Sequence, residues 1–334
     1  MSTNTIDVIT WNVTGVMSSS SYLCDVITEG KIDICGISEH WLYPHNMFFL
    51  DCISSDYNCH GVCDQDLYWT NERRKVGKGG VCIMWRKQLD NFIVPLSIES
   101  DRIVGIQLQL LNNQYIYMFQ VYLPSSNHSL NEYRECMTIL YDLYHTYRDQ
   151  GLVVFMGDLN ARVNSIRSST RDDCLKGFLL DCNLCAINQT QLRYGPRDTF
   201  VSYDNQSAST IDYVCIPAEC TDLVTHCEVA GDACLNVSRH RPILSSFDCP
   251  GRMEAECASE KTTNWKKCSP DDVFEYQRRL INDIGLSRLV NSELGCSSID
   301  SAYEKVCDSL YNHATSVFPK KSYRSYLKRT GQKN

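Results

Sequence analysis

Nowhere in this chain of 334 residues does an apolar run reach the ~20 residues needed to span a bilayer. The first residues, Met1 to Asp7, carry no basic stretch followed by an apolar one, so no secretory leader is read. No repeat period and no low-complexity tract is visible. The 19 cysteines lack the paired C-x-x-C spacing of a zinc site, since Cys182 and Cys185 stand alone. Without a leader they read as reduced thiols of an intracellular protein. The N-x-S/T sequons at Asn12, Asn127, Asn188, Asn205 and Asn236 then carry no expectation of glycosylation. A basic excess is missing too. The net charge is −8, which argues mildly against a general nucleic-acid binder.

What is present is an ordinary globular composition, 43% apolar and 22% charged, on a chain long enough for one large domain and an appendage. The charge is uneven. Residues 1–250 hold 18 basic and 29 acidic side chains, net −11, and residues 251–334 hold 14 and 11, net +3. A polyanionic substrate would have to be gripped by local patches such as Arg73, Arg74, Lys75 and Lys78. Short runs rich in β-branched and aromatic residues predict strands over 6–13, 32–38, 80–85, 103–110, 115–122, 152–157, 209–216 and 242–247. Helical spacing, with Ser129 as cap, predicts a helix over 130–148, and a shorter one is expected over 173–182. Many strands with few helices suggest sheet packed on sheet with helices outside, a large α+β domain over 1–250. Beyond a polar stretch, 251–263, apolar spacing predicts helices over 270–290 and 299–317, capped by Ser269 and Ser298. Residues 251–334 therefore read as a linker and a short helical C-terminal tail.

Six apolar strands end in polar residues suited to phosphate chemistry. They are Trp11-Asn12-Val13, Ser38-Glu39-His40, Tyr122-Leu123-Pro124, Gly157-Asp158-Leu159-Asn160, Ile211-Asp212-Tyr213 and Ser238-Arg239-His240-Arg241-Pro242. Singly, each reads more readily as the start of a turn, because Asp and Asn bond their own backbone. Strand ends of layered folds gather at one crevice, however, so scattered positions can converge. Glu39 is a hard oxygen donor of the kind that holds Mg²⁺. Asp158 and Asn160 lie two apart, so an extended strand end would point both to one side.

In this order the six segments resemble the endonuclease/exonuclease/phosphatase superfamily, from residue 6 to 247. The resemblance implies a four-layered α/β sandwich with two central mixed β-sheets. It also implies a Mg²⁺- or Mn²⁺-dependent phosphodiesterase. In it Asn12 and Glu39 place the metal, and Asp158 orients or deprotonates the attacking water. Asn160 would hold that water or a phosphate oxygen, Tyr122 would bond the phosphate, and Asp212 would orient His240. Thr199, in Asp198-Thr199-Phe200, falls where the family lines its site, although a plain strand threonine reads nearly as well.

More finely, Lys78-Gly79-Gly80-Val81, Ser38-Glu39-His40-Trp41-Leu42 and Gly157-Asp158-Leu159-Asn160-Ala161-Arg162 are similar to the apurinic-endonuclease-like domains of non-LTR retrotransposons. Trp265-Lys266 and Phe318-Pro319-Lys320-Lys321 resemble the connector that precedes their reverse transcriptase. That likeness implies DNA as substrate, a reverse transcriptase domain as partner in a full-length element, and a nuclear location. With no polymerase before Asn334, the expectation is a truncated element copy or an incomplete gene model. One departure stands out: the family's terminal motif carries aspartate where this chain has Arg239. The expected consequences are weakened metal binding, an arginine turned out towards DNA phosphate, or a catalytically impaired remnant. A phosphoesterase for small molecules or lipids is the other alternative, and membrane insertion is not expected.

Overall fold

The computed structural model describes residues 5–63, 77–165, 167–249, 268–283, 306, 309–314 and 316–318. The chain divides into two compact units, Met1–Glu256 and Cys257–Asn334. Along the first run β1 (Thr5–Asn12), α1 (Val16–Glu29), β2 (Ile34–Ser38), β3 (Tyr57–Val62), β4 (Val81–Arg86), β5 (Ile93–Leu96), β6 (Ile103–Gln109) and β7 (Tyr115–Tyr122). Then follow α2 (Leu130–Tyr147), β8 (Leu152–Asp158), α3 (Thr170–Asp181), β9 (Leu184–Ala186), β10 (Arg193–Tyr194), β11 (Phe200–Val201), β12 (Ala208–Ser209), β13 (Asp212–Pro217), β14 (Val224–Val229) and β15 (Ile243–Asp248).

The strands form two large mixed sheets and one hairpin. A seven-stranded sheet runs β10-β14-β15-β1-β2-β4-β3, a six-stranded sheet runs β5-β6-β7-β8-β13-β9, and β11 pairs with β12. The two-residue side-chain period of a strand explains the layering. Ile6 and Val8 of β1 join Ile116 and Met118 of β7 in a core between the sheets. Their neighbours point the other way. Trp11 and Ile9 pack with Val16, Leu23 and Ile27 of α1, while Tyr117, Phe119 and Val121 pack with Tyr133, Met137 and Leu140 of α2 and Phe178 of α3. Helix, sheet, sheet, helix: this is the expected four-layered sandwich.

Several boundaries moved for local reasons. Helix α3 begins at Thr170, not 173, because Ser169 and Asp172 form a reciprocal capping box. The strand expected over 209–216 is two: Ser209 belongs to the hairpin and the sheet strand starts at Asp212. Helix α1 gave no sequence signal. Its cap position is Gly15, with no side-chain cap, and its middle is a run of serines, poor helix formers. Packing of Val16, Leu23 and Ile27 overrides that propensity.

In the second unit, α4 (Pro270–Ile281) starts at Ser269, whose side chain and that of Asp272 cap reciprocally as expected. Described residues between 306 and 317 are helical, and the Tyr276 and Phe318 rings lie 4.9 Å apart. The rest of the predicted tail, with Trp265, Lys266, Ser298, Pro319, Lys320 and Lys321, lies outside the described residues, as do Arg73, Arg74 and Lys75. No helix among the described residues is long and apolar enough to cross a membrane.

Candidate active site

Strand register assembles the site. In the first sheet β1 and β2 run parallel with Asn12 beside Ser38, so both strands end at the same edge. Glu39 follows at once, in a left-handed backbone conformation (φ 55°) that turns its side chain back over the strand end. In the second sheet, parallel pairing sets Tyr122 beside Asp158, and antiparallel pairing sets Asp212 beside Asp158 from the other side. Three site residues thus form one row across three strands. Gly157 makes the row possible: its φ is +131°, and a β-carbon there would run into the Val121 carbonyl oxygen.

At the site itself one side-chain amide spans the two sheets. Asn12 Nδ2 donates to Glu39 Oε1 at 2.8 Å and to Asp158 Oδ2 at 3.0 Å. Beneath it, Thr10 Oγ1 donates to Gln120 Oε1, and Gln120 Nε2 donates to Ser38 Oγ, a fully buried polar link between the sheets. The other Glu39 oxygen accepts from Trp41 Nε1 at 2.9 Å. His240 lies beside them, its Nδ1 2.9 and 3.1 Å from the two Asp212 oxygens. Its backbone is anchored by Trp11 Nε1 and Asn236 Nδ2, both donating to the His240 carbonyl at 3.0 Å. One ligand atom from each of Glu39, Asp158 and His240 falls within 4.8 Å of the others. No other such group of His, Cys, Asp and Glu occurs among the described residues.

The electrostatics follow from burial. Desolvation first, then the Asp212 carboxylate, push Asp158 up to about 8. Burial alone would lower His240, but the charge of Asp212 and its hydrogen bond outweigh it and raise the imidazole to about 9. Burial and the Glu39 and Asp158 carboxylates push the Tyr122 phenol far above its ordinary value, so it stays a donor. Two carboxylates held by one amide in a buried crevice call for a cation. Hard oxygen donors with one imidazole alongside suit Mg²⁺ or Mn²⁺. The residues present therefore fit a divalent metal, held by Glu39 with Asn12 and Asp158 adjacent.

The structure brings Asn12, Glu39, Tyr122, Asp158, Asp212 and His240 together, and corrects two finer expectations. Asn160 lies past the end of β8 with φ 48°, so the extended geometry assumed for Asp158 and Asn160 does not hold. One hydrogen of its Nδ2 goes to the Leu123 carbonyl at 2.8 Å, leaving the other and the side-chain oxygen for a ligand. Thr199 is fully buried. Its Oγ1 accepts from the Ile211 and Asp212 amides, both at 3.1 Å, which fixes the start of β13 instead of lining the site. Of the three outcomes expected of Arg239, the structure bears on one: the side chain is turned away from the cluster. Its guanidinium donates to Asn205 Oδ1 at 2.8 Å and to the Tyr203 carbonyl at 3.2 Å, and sits over the Tyr203 ring.

Sequence reasoning missed Trp41, Gln120 and Asn188, which bonds the backbone of Asp212 and Val214. Trp41 was quoted only as part of a motif; a polar ring nitrogen two residues from a candidate ligand was the available signal.

A two-sheet sandwich with a carboxylate–imidazole cluster at its strand ends defines the class. The chain belongs to the endonuclease/exonuclease/phosphatase family, whose model matches residues 9–259. No curated protein sequence matches it. Among solved structures it is similar to the AP endonuclease LMAP of Leishmania major, with TM-score 0.59, 16% identity, and coverage of 73% of this chain and 87% of that one. It is also similar to the 3′ phosphatase NExo of Neisseria bound to a product DNA hairpin, with TM-score 0.57, 15% identity, and coverage of 73% and 99%. The endonuclease domain of TRAS1, a telomere-specific non-LTR retrotransposon, has TM-score 0.55, 16% identity, and coverage of 73% and 99%. At these identities the likeness shows the fold.

Proposed function

We propose that this chain is a divalent-metal-dependent phosphodiesterase that nicks one strand of DNA, in an element of retrotransposon origin whose reverse transcriptase domain acts on the exposed 3′-hydroxyl in the nucleus. The observation that carries the chemistry is the convergence of Glu39, Asp158 and His240 within 4.8 Å, with Asp212 behind the imidazole. In hydrolysis, a water oxygen forms a bond to phosphorus and the P–O3′ bond breaks, leaving a 5′-phosphate and a 3′-hydroxyl. Asp158 is placed to take the water's proton: burial and the Asp212 carboxylate raise its proton affinity, and the imidazolium of His240 and a cation at Glu39 favour its ionised form. His240, raised to about 9, enters protonated, and its second ring nitrogen donates to a non-bridging phosphate oxygen. Asp212 orients the ring and stabilises the imidazolium. Tyr122 donates a hydrogen bond to the phosphate. Glu39, with Asn12 and Asp158 beside it, would hold a divalent metal, whose charge would offset that growing on the phosphoryl oxygens.

DNA as substrate, magnesium and retrotransposon origin are supported by the motifs of the sequence and by likeness to a phosphatase bound to product DNA, an AP endonuclease and a retrotransposon endonuclease domain. The test is nicking of supercoiled plasmid by the purified chain with Mg²⁺ or Mn²⁺. Nicking that needs the metal, and that Asp158→Ala lowers by about 100-fold or more, is the expected result. A folded, inert wild-type chain would instead favour the impaired remnant or a small-molecule phosphoesterase.

A further inference from the structure

Beside the site the first unit carries an open cleft of about 700 Å³ whose lining includes Arg162, Arg167, Arg197, Asp198, Thr210 and Tyr213. Its polar, cationic lining is unlike the apolar lining of most small-ligand pockets. Three guanidiniums meet one carboxylate, Asp198, in a chain whose first 250 residues carry a net charge of −11. Arg162 is partly committed, donating to Asp172 at 3.3 Å. Among the described residues, neither the Arg167 nor the Arg197 guanidinium has a hydrogen-bond or ion-pair partner. In so acidic a domain, two uncommitted arginines facing one hollow are placed for a ligand.

The cleft's walls adjoin, in sequence, residues of the site and of its support. Arg162 lies two residues beyond Asn160, Thr210 two before Asp212, Asp198 immediately before Thr199, and Tyr213 immediately after Asp212. The walls are also fixed to one another. The Tyr213 hydroxyl accepts from the Val163 amide at 3.1 Å and sits 3.1 and 2.7 Å from the Ala161 and Thr210 carbonyl oxygens. Arg241 Nη1 donates to the Asp198 carbonyl at 2.8 Å, which holds the third wall. A hollow built this way keeps its shape without a ligand, so binding costs little ordering.

We propose that this cleft is the track for the DNA strand beyond the scissile bond, with Arg167 and Arg197 each taking a backbone phosphate. Guanidiniums suit this because they present forked donors to phosphate oxygens and stay charged at any working pH. Phosphate contacts carry no sequence information, so the cleft fixes register and direction on the strand. The assignment rests on the reading of the neighbouring site as a DNA phosphodiesterase.

The experiment is fluorescence anisotropy of a short labelled DNA duplex with the full chain in EDTA, from about 50 to 200 mM salt. It compares wild type, the double variant Arg167→Gln/Arg197→Gln and the double variant Arg167→Lys/Arg197→Lys. Each phosphate contact contributes about 0.9 to the slope of log affinity against log salt. The glutamine variant is therefore expected to lose about 2 from that slope and about 10- to 100-fold in affinity at the lowest salt, and the lysine variant to keep most of both. A wild-type chain that does not bind, or a glutamine variant with the wild-type slope and affinity, overturns the cleft. Hydrolysis of bis-p-nitrophenyl phosphate by the wild type with Mn²⁺, run in parallel, reads catalysis separately. Arginine-dependent binding without hydrolysis sinks the phosphodiesterase and leaves the cleft standing; hydrolysis without arginine-dependent binding does the reverse.

Discussion

Glu39 has both carboxylate oxygens occupied by nitrogen donors, Asn12 on one and Trp41 on the other, so its direction is set before any cation arrives. Partners that orient a metal ligand in this way are typically worth about 10- to 100-fold in metal affinity or activity. Trp41→Phe keeps the ring and removes the donor. It should leave the thermal midpoint nearly unchanged and raise the Mn²⁺ concentration needed for half-maximal hydrolysis by about 10-fold; a shift in melting with no change in metal requirement would make Trp41 a packing residue only. Arg239 yields the opposite expectation. Because its guanidinium serves the 202–207 turn, Arg239→Ala and Arg239→Asp should each cost about 1 kcal/mol in chemical denaturation, and neither should raise the hydrolysis rate. A gain in rate for the aspartate would show that the departure from the family motif had impaired this copy. The site residues that touch the crevice were legible in the sequence because each lies at or beside one end of an apolar strand. Trp41, Gln120, Asn188 and the true task of Thr199 were not, because they act through other residues' side chains or backbone amides across 2 to 110 positions of sequence.

At the level of elements, strand pairing carries the geometry, and pairing is what a single sequence states least. The Tyr122, Asp158 and Asp212 row needs a parallel neighbour on one side and an antiparallel one on the other. The edge strand β3, and β14 beside the two-residue edge strand β10, escaped notice because partly exposed strands admit Asn, His and Glu. The N-terminus of α3 shows how an element fixes a loop. Asp172, nearly fully buried, accepts from the Ser169 amide at 2.8 Å and the Arg162 amide at 2.7 Å, tying the helix start to the segment that follows Asn160. Burial pushes the Asp172 carboxyl up, but the hydrogen bonds from Ser169 and Arg162 prevail and hold it below the ordinary aspartate value. A carboxylate depressed in the folded state contributes stability above its unfolded value of about 3.9, and that contribution fades as pH falls through the folded value. Asp172→Asn should therefore cost about 1–3 kcal/mol at pH 7. In thermal melts the gap between wild type and variant should narrow steadily below pH 4. A gap that stays constant down to pH 2 would remove the charge from the explanation.

On the scale of the whole chain, every residue of the cluster, the arginine cleft and the three apolar cores lies within 1–256, and the family match ends at residue 259. Among the described residues, the core shared by the two sheets is built from the first unit. A domain that contains its own core should fold as one cooperative unit. A chain cut after residue 259 is accordingly expected to melt in a single transition and to hydrolyse a small phosphodiester within about 2-fold of the full chain at saturating Mn²⁺. Long DNA is a separate matter: the cut removes a segment of net positive charge and leaves a core that carries −11 over its first 250 residues. Repulsion between that field and the phosphate backbone slows encounter, and salt screens it with a Debye length of about 8 Å at physiological strength. Plasmid nicking by the cut chain should therefore fall more than small-diester hydrolysis does, and the ratio of the two should recover as salt rises towards 0.15 M. Equal losses in both would place a catalytic contribution in the second unit, and no loss in either would make the charge of the tail irrelevant to DNA.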